Sequence, residues 1–229
     1  MTPSDISVIV PAINEATLVK KAIESAIHAG AREVVVCDGG SDDDTVEVAS
    51  GAGATVCASK PGRGQQLRRG AEEATGRYLL FLHADNTLGP DCLREICRAV
   101  ESSDAEFVWG GFRQQIADQR RIYRWLERGN AARIIYRGMP FGDQAMFVSR
   151  RAYDQVGGIE TVPLMEDVRL SRSLRRLAWP VLLDGPVHVS PRRWQQRGVV
   201  GQTARNWWIQ LAHRFGVQED RLSVWYHDK

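Results

Sequence analysis

The chain has 229 residues, 43% hydrophobic and 25% charged, with a formal net charge of +2. That composition is ordinary for a soluble globular protein, and the length suffices to bury a core without disulfides or a structural metal. No apolar run is long enough to span a bilayer, and no charged-then-apolar leader opens the sequence.

Ile6-Ser7-Val8-Ile9-Val10 predicts a strand stopped by Pro11, with Asn14-Glu15 just beyond it. A helical pattern over about residues 17–29 ends at Gly30. Glu33-Val34-Val35-Val36-Cys37 predicts a second strand, ending on the cluster Asp38-Gly39-Gly40-Ser41-Asp42-Asp43-Asp44-Thr45. A short helix to Ser50, a strand over 54–59 and a helix over 63–74 follow, and then the run Tyr78-Leu79-Leu80-Phe81-Leu82 stops on His83-Ala84-Asp85. Continuous apolar runs of this kind read as strands buried on both faces, and their alternation with helices implies a parallel sheet.

Three of these strands end on polar residues: Pro11 to Glu15, Asp38 to Thr45, and His83 to Asp85. In a parallel sheet those ends share one edge, where α/β proteins bind ligands. Asp85 by itself reads equally well as a cap for the helix expected after Asp91. Asp38 reads either as an N-cap or as an acceptor for a base N–H or a ribose hydroxyl. No GxGxxG follows the first strand and no GxxxxGK[ST] occurs, so the common dinucleotide and P-loop cradles are absent. The four cysteines, Cys37, Cys57, Cys92 and Cys97, form no CxxC pair and read as reduced apolar residues of a cytoplasmic protein.

Val10-Pro11-Ala12-Ile13-Asn14-Glu15, Asp38 to Thr45, Arg63 to Gly76, Phe81 to Asp85 and Glu166-Asp167, in this order, resemble the family-2 glycosyltransferases. The resemblance covers about residues 5–190. His83-Ala84-Asp85 together with Ser190-Pro191-Arg192-Arg193-Trp194 is similar to a bacterial subgroup associated with radical-SAM and selenium-domain proteins. The resemblance implies a GT-A fold, a Rossmann-like three-layer α/β sandwich with a mostly parallel central sheet, and a nucleotide-diphosphate sugar as donor. By position in the motifs, Pro11, Ala12, Asn14, Glu15, Asp38, Ser41, Arg63, Arg68, His83, Ala84 and Asp85 would bind that donor. His83-Ala84-Asp85 stands where the family has Asp-x-Asp. The first Asp is therefore a His here, and Asp85 remains as ligand for Mg²⁺ or Mn²⁺. Arg68 stands where relatives often carry Asn.

The second half starts with an amphipathic helix over 91–101, then a strand over 107–112. Residues 86–90 read as a turn. A helix over about 122–136 has Tyr123, Trp125, Leu126 and Ile134 as core or interface residues. Gly138 to Gln144 is turn-rich, and Gly142, Asp143 and Gln144 are candidates for holding acceptor hydroxyls; a turn held by its own side chains is the alternative. The strand over 145–148 follows. Glu166-Asp167 opens a helix, where helix-dipole capping alone would explain two acids. The resemblance instead implies Asp167 as the general base of an inverting transfer, with Glu166 holding the acceptor or orienting the loop. The metal on Asp85 and one of the two arginines Arg192 and Arg193 would neutralise the departing diphosphate. Short strands are expected over 181–183 and 187–190, and a helix over 199–215 that packs, dimerises or lies on a membrane.

The expected organisation is one domain over 1–229: a donor-binding half to about 105, an acceptor-binding and catalytic half to about 198, and a helical appendage. The function implied is transfer of a sugar to an acceptor hydroxyl, small-molecule or lipid-linked, by a cytoplasmic or membrane-peripheral protein. The alternatives are a non-catalytic protein of the same fold and a sugar-phosphate nucleotidyltransferase. From Arg113 to Arg214 arginines outnumber acids and lysine is absent, but no nucleic-acid motif accompanies them.

Overall fold

The computed structural model describes residues 1–215, 217 and 222, and for residues 193, 196, 197, 200, 206, 207, 210, 213 and 214 the backbone alone. β1 (Ile6–Ala12), β2 (Glu33–Asp38), β3 (Thr55–Ala58) and β4 (Tyr78–Phe81) lie parallel in the order β3-β2-β1-β4. The helices between them are α1 (Val19–His28), α2 (Thr45–Gly51) and α3 (Arg63–Glu73). Next come β5 (Asn86–Leu88), α4 (Cys92–Glu101), β6 (Trp109–Ile116), α5 (Arg121–Arg137), β7 (Phe147–Ser149), α6 (Arg150–Gln155), α7 (Glu166–Leu174), β8 (Val181–Val189), α8 (Arg192–Arg197) and α9 (Val199–Arg214).

All eight strands join one sheet, ordered β3-β2-β1-β4-β7-β6-β8-β5. The parallel half meets the rest through β7, which is antiparallel to both β4 and β6. β8 runs parallel to β6, and β5 closes the far edge antiparallel to β8.

Strand residues feed two cores by alternation. Val8, Val10, Val34 and Val36 pack with Ile23 of α1, Ile96 of α4 and Tyr123 of α5. Ile9, Val35, Leu79 and Phe81 pack on the other face with Leu67 of α3, Tyr153 of α6 and Leu170 of α7. Helices therefore cover both faces, as the expected sandwich requires. The sheet is parallel over β3-β2-β1-β4 and mixed beyond it. The cysteines are free thiols.

Several expectations change. Residues 86–88 pair with β8 as an edge strand instead of forming only a turn. The two short strands expected over 181–190 are one strand, β8, with a register shift opposite Phe112 and Gln114. β6 starts at Trp109 and runs on to Ile116. Trp125 is 68% exposed, outside the core that holds Tyr123 and Ile134. Ile209, Ala212 and Leu222 pack against Leu164, leaving Trp208 and Leu211 exposed on α9 and Phe215 exposed just after it. The side chain of Trp207 and the tail residues 223–226 lie outside what the structure describes. Among the described residues no helix is long and apolar enough to cross a membrane.

Candidate active site

The C-terminal ends of β1, β2 and β4 stand side by side because the three strands are neighbours and parallel. Their following loops are tied together at backbone level. Asp38 is buried, and its carboxylate accepts from the backbone N–H of Gly40 and Ser41 and from the Ser41 hydroxyl. Ser41 Oγ in turn accepts from the Asn14 N–H at 2.9 Å, and Asn14 Oδ1 accepts from the Asp42 N–H at 2.9 Å. Asn14 does this with φ +53°, a left-handed conformation that Asn tolerates better than most residues. Below them the buried Gln66 of α3 donates to Ala12 O at 2.6 Å and Cys37 O at 3.0 Å, bracing β1 against β2. Asp38, Asn14 and Ser41 are thus construction members of the strand-end edge.

A cleft of about 570 Å³ opens beside this edge. Pro11, Glu15, Arg63, His83, Ala84, Asp85 and Glu166 of the predicted site line it, with Ile13, Gln66 and the segment Thr161 to Leu164. Ala12 is buried behind it. Arg68 sits apart, donating to Ile159 O at 3.3 Å and pairing with Glu72. Arg192 reaches the cleft from α8: Nη2 donates to Glu15 Oε1 at 2.8 Å, Nη1 to Glu15 Oε2 at 3.2 Å, and Nη2 lies 3.7 Å from Asp85 Oδ2. The hydrogen bonds to Glu15 hold the Arg192 pKa above its usual value, against the opposing effect of burial. The Arg193 side chain is outside what the structure describes.

The cleft is also lined by Thr161 to Leu164 and by Glu166 at the start of α7, and the loop after α5 lies next to that start. Gly142 N–H donates to Asp167 Oδ2 at 2.8 Å, and the Val168 N–H donates to Asp167 Oδ1 at 2.7 Å. A Cβ on Gly142 would stand 2.8 Å from His83 Nε2 and 3.4 Å from Asp167 Oδ2, so His83, Gly142 and Asp167 converge at one point. Glu166 is 1% exposed and pairs with Arg63 Nη1 at 3.4 Å. Burial raises its pKa, the neighbouring Asp167 adds to that, and Arg63 opposes it. Met165, just ahead of the two acids, takes φ +69°, which costs a side-chain-bearing residue strain.

Gln144 was expected to bind acceptor hydroxyls, but it is 0% exposed and its amide is spent inside the loop. It accepts from Arg133 Nη2 at 2.8 Å and the Phe141 N–H at 3.2 Å, and donates to Asn130 O. The Asp143 carbonyl accepts from Asn86 and Gln114, while its Oδ1 is buried without a hydrogen-bond partner. Arg133, which sequence reading passed over, organises this loop. It donates to Met139 O, Asn130 Oδ1 and Gln144 Oε1 and stacks 3.6 Å over the Phe141 ring. Burial depresses its pKa, partly offset by the charges of Asp143 and Asp167. Ser171 of α7 donates to Pro140 O at 2.6 Å and fixes the loop from the other side.

Residues 7–157 match the model of glycosyl transferase family 2. A PGL/p-HBAD biosynthesis glycosyltransferase of Mycobacterium bovis is 26% identical over 162 residues, 66% of this chain and 61% of that protein. The glycosyltransferase AglJ of Haloferax volcanii is 38% identical over 88 residues, 38% of this chain and 29% of that protein. The chain thus spans less than two thirds of the length of these curated relatives. Among solved structures, residues 1–349 of S. aureus TarS superpose with a TM-score of 0.64 at 16% identity, over 83% of this chain and 61% of that one. Glucosyl-3-phosphoglycerate synthase from Mycobacterium tuberculosis, bound to Mn²⁺, UDP and glucosyl-3-phosphoglycerate, superposes with a TM-score of 0.57 at 19% identity, over 81% of this chain and 70% of that one. At such identities the likeness is one of fold, and that fold is GT-A-like.

Proposed function

The chain belongs to glycosyl transferase family 2, and on that premise we propose that it transfers a sugar from a nucleotide-diphosphate donor to an acceptor hydroxyl with inversion. The observation that carries the reading is the one cleft that Glu15, His83 and Asp85 share with Arg63 and Glu166, with Asp167 next to Glu166 and bonded to Gly142 beside His83. The donor's nucleotide would lie along the strand ends, where Pro11, Ile13 and Ala84 supply surface. S. aureus TarS holds UDP-GlcNAc in one of its structures, which makes a uridine donor the first to test.

Asp167 is the proposed base. Its Oδ2 is oriented by the Gly142 N–H and its Oδ1 by the first turn of α7. The acceptor oxygen attacks the anomeric carbon while its proton passes to Asp167. The bond from that carbon to the diphosphate oxygen breaks, and the nucleoside diphosphate leaves with the electron pair. Arg192 and Arg63 carry positive charge at the cleft to meet the departing group. Asp85 offers an oxygen ligand that suits Mg²⁺ or Mn²⁺. Among the described residues no three His, Cys, Asp or Glu side chains are grouped to hold an ion, so the diphosphate and water would complete its shell. Such an ion, when bound, supplies further charge neutralisation on the leaving diphosphate. The acceptor class is a hydroxyl compound, free or lipid-linked. The subgroup resemblance rests on His83-Ala84-Asp85 and Ser190 to Trp194 and adds no substrate.

The test is thermal melting of the full chain with UDP, ADP or GDP and Mn²⁺, followed by product analysis with a donor panel. Asp167→Asn is expected to reduce transfer at least about 100-fold while leaving nucleotide binding in place. Full turnover in that variant would remove Asp167 from the base role, and no melting shift with any nucleotide would overturn the donor reading.

A further inference from the structure

Glu15 lies in the loop between β1 and α1, Asp85 follows β4, and one guanidinium reaches both. Arg192 meets Glu15 with two hydrogen bonds, 2.8 and 3.2 Å, and stands 3.7 Å from Asp85. Two parallel N–H···O contacts are the way a guanidinium grips a carboxylate, and they match a phosphate equally well. The side chains are 19%, 12% and 37% exposed for Glu15, Asp85 and Arg192, so the trio is partly shielded yet reachable from the cleft that both acids line. Two carboxylates against one guanidinium leave this corner with a net negative charge, an unfavourable place for a diphosphate while Glu15 keeps the cation.

We propose that Glu15 is a positioning residue for Arg192: it holds the guanidinium over Asp85, and a diphosphate entering the cleft competes with Glu15 for it. This rests on the donor reading above and deepens it. It also departs from the role that motif position implies for Glu15. Were Glu15 to accept hydrogen bonds from the nucleotide directly, removing its charge would weaken nucleotide binding. A competitor's removal strengthens binding. The two roles therefore differ in sign. A through-space effect of the lost negative charge would also strengthen binding, but it would persist without Arg192, whereas competition needs Arg192 to be present.

The experiment is calorimetric titration of the full chain with UDP, or with ADP or GDP if UDP is silent, in EDTA at low salt. The chains compared are wild type, Glu15→Gln, Arg192→Gln and the double variant, each checked by thermal melting first. Glu15→Gln is expected to bind about fivefold tighter than wild type, the scale of a partly exposed ion pair. Arg192→Gln is expected to bind more weakly, and adding Glu15→Gln to it to change affinity by less than about twofold. Glu15→Asp, one methylene shorter, keeps the charge but loses the two-pronged grip, and should tighten binding in the same direction; it also serves if Glu15→Gln does not fold. Equal or weaker binding in Glu15→Gln, or the full gain persisting without Arg192, overturns the inference while wild-type binding leaves the donor reading standing. No binding of any of the three nucleotides by any variant overturns both.

Discussion

Along the cleft β1, β2 and β4 run parallel and present their C-terminal ends as neighbours; the segment Thr161 to Leu164 and Glu166 that also lines it leads into α7, which the 138–144 loop meets through Gly142–Asp167 and Pro140–Ser171. The strand-end edge is held by short-range ties, with Asp38 bonded to its own loop, Asn14 bonded to Ser41 and Asp42, and Gln66 bracing two strands. The 138–144 loop and the start of α7 depend on a buried cation and on backbone strain. Arg133 satisfies three acceptors in and beside the loop, Ala145 follows the 142–144 turn at φ +45°, and Met165 precedes Glu166-Asp167 at φ +69°. A region of many local ties tolerates the loss of one better than a loop in which a single buried guanidinium makes three of the ties.

Arg133→Met should therefore produce the largest effect. It removes the side-chain donor from Met139 O and Asn130 Oδ1 and one of the two donors to Gln144 Oε1, and three lost hydrogen bonds at about 1 kcal/mol each predict a loss of about 3 kcal/mol. Urea unfolding measures it. Nucleotide binding by the folded fraction should stay near wild type, since the strand-end edge does not contact Arg133; an equal collapse of nucleotide affinity would break the separation between the two regions. Gly142→Ala tests the contact with Asp167 directly. Its Cβ would press on His83 Nε2 at 2.8 Å and displace the N–H that orients Asp167. A displacement near 1 Å predicts about a 100-fold loss in transfer, read by steady-state rates, with nucleotide affinity changed far less. Retained turnover would show that the Gly142 contact does not orient the base.

The same contrast explains what the amino-acid order disclosed. Leu79 to Leu82 and Val34 to Val36 are apolar on both faces, so their strand character and their polar ends were legible, and the parallel arrangement then placed Glu15, Asp38 and Asp85 on one edge. β5 is three residues long and pairs only with β8, too short for any period to register. Arg133 looks like one more arginine on a helix rich in them, and nothing local tells that its guanidinium turns inward onto Phe141. Gln144 beside Asp143 looked like a sugar ligand because a loop amide reads the same whether it faces solvent or its own backbone. The partner of Glu15 is 177 positions away in sequence, and only the folded chain brings Arg192 to it.

A smaller effect is expected where β1 packs tightly against α3. A Cβ on Gly70 of α3 would approach Ile9 Cγ2 to 2.5 Å. Overpacking of this kind costs about 1–3 kcal/mol, and Ala returns up to about 1 kcal/mol of helix propensity, so Gly70→Ala should lose about 1–2 kcal/mol in urea unfolding. The folded variant should transfer sugar at the wild-type rate. Lost transfer without lost stability would mean that α3 shapes the cleft more directly than Gln66 suggests.

The mildest test uses pH and returns to the start of α7. Burial raises the Glu166 pKa in the folded chain, and Asp167 beside it pushes in the same direction. A carboxyl with a raised folded pKa binds its proton more tightly in the folded than in the unfolded state. Between the unfolded and folded pKa values the folded chain carries more protons, so stability falls as pH rises through that window. The contribution is complete below the unfolded pKa and lost above the folded one. Glu166→Gln cannot ionise and lacks this slope, and the amide still offers an oxygen to Arg63. Its melting temperature relative to wild type should therefore climb from pH 4 toward neutrality and then level off. A difference that stays flat over that range would mean that Arg63, at 3.4 Å, cancels the burial penalty, and that the acid beside Asp167 is ionised without cost.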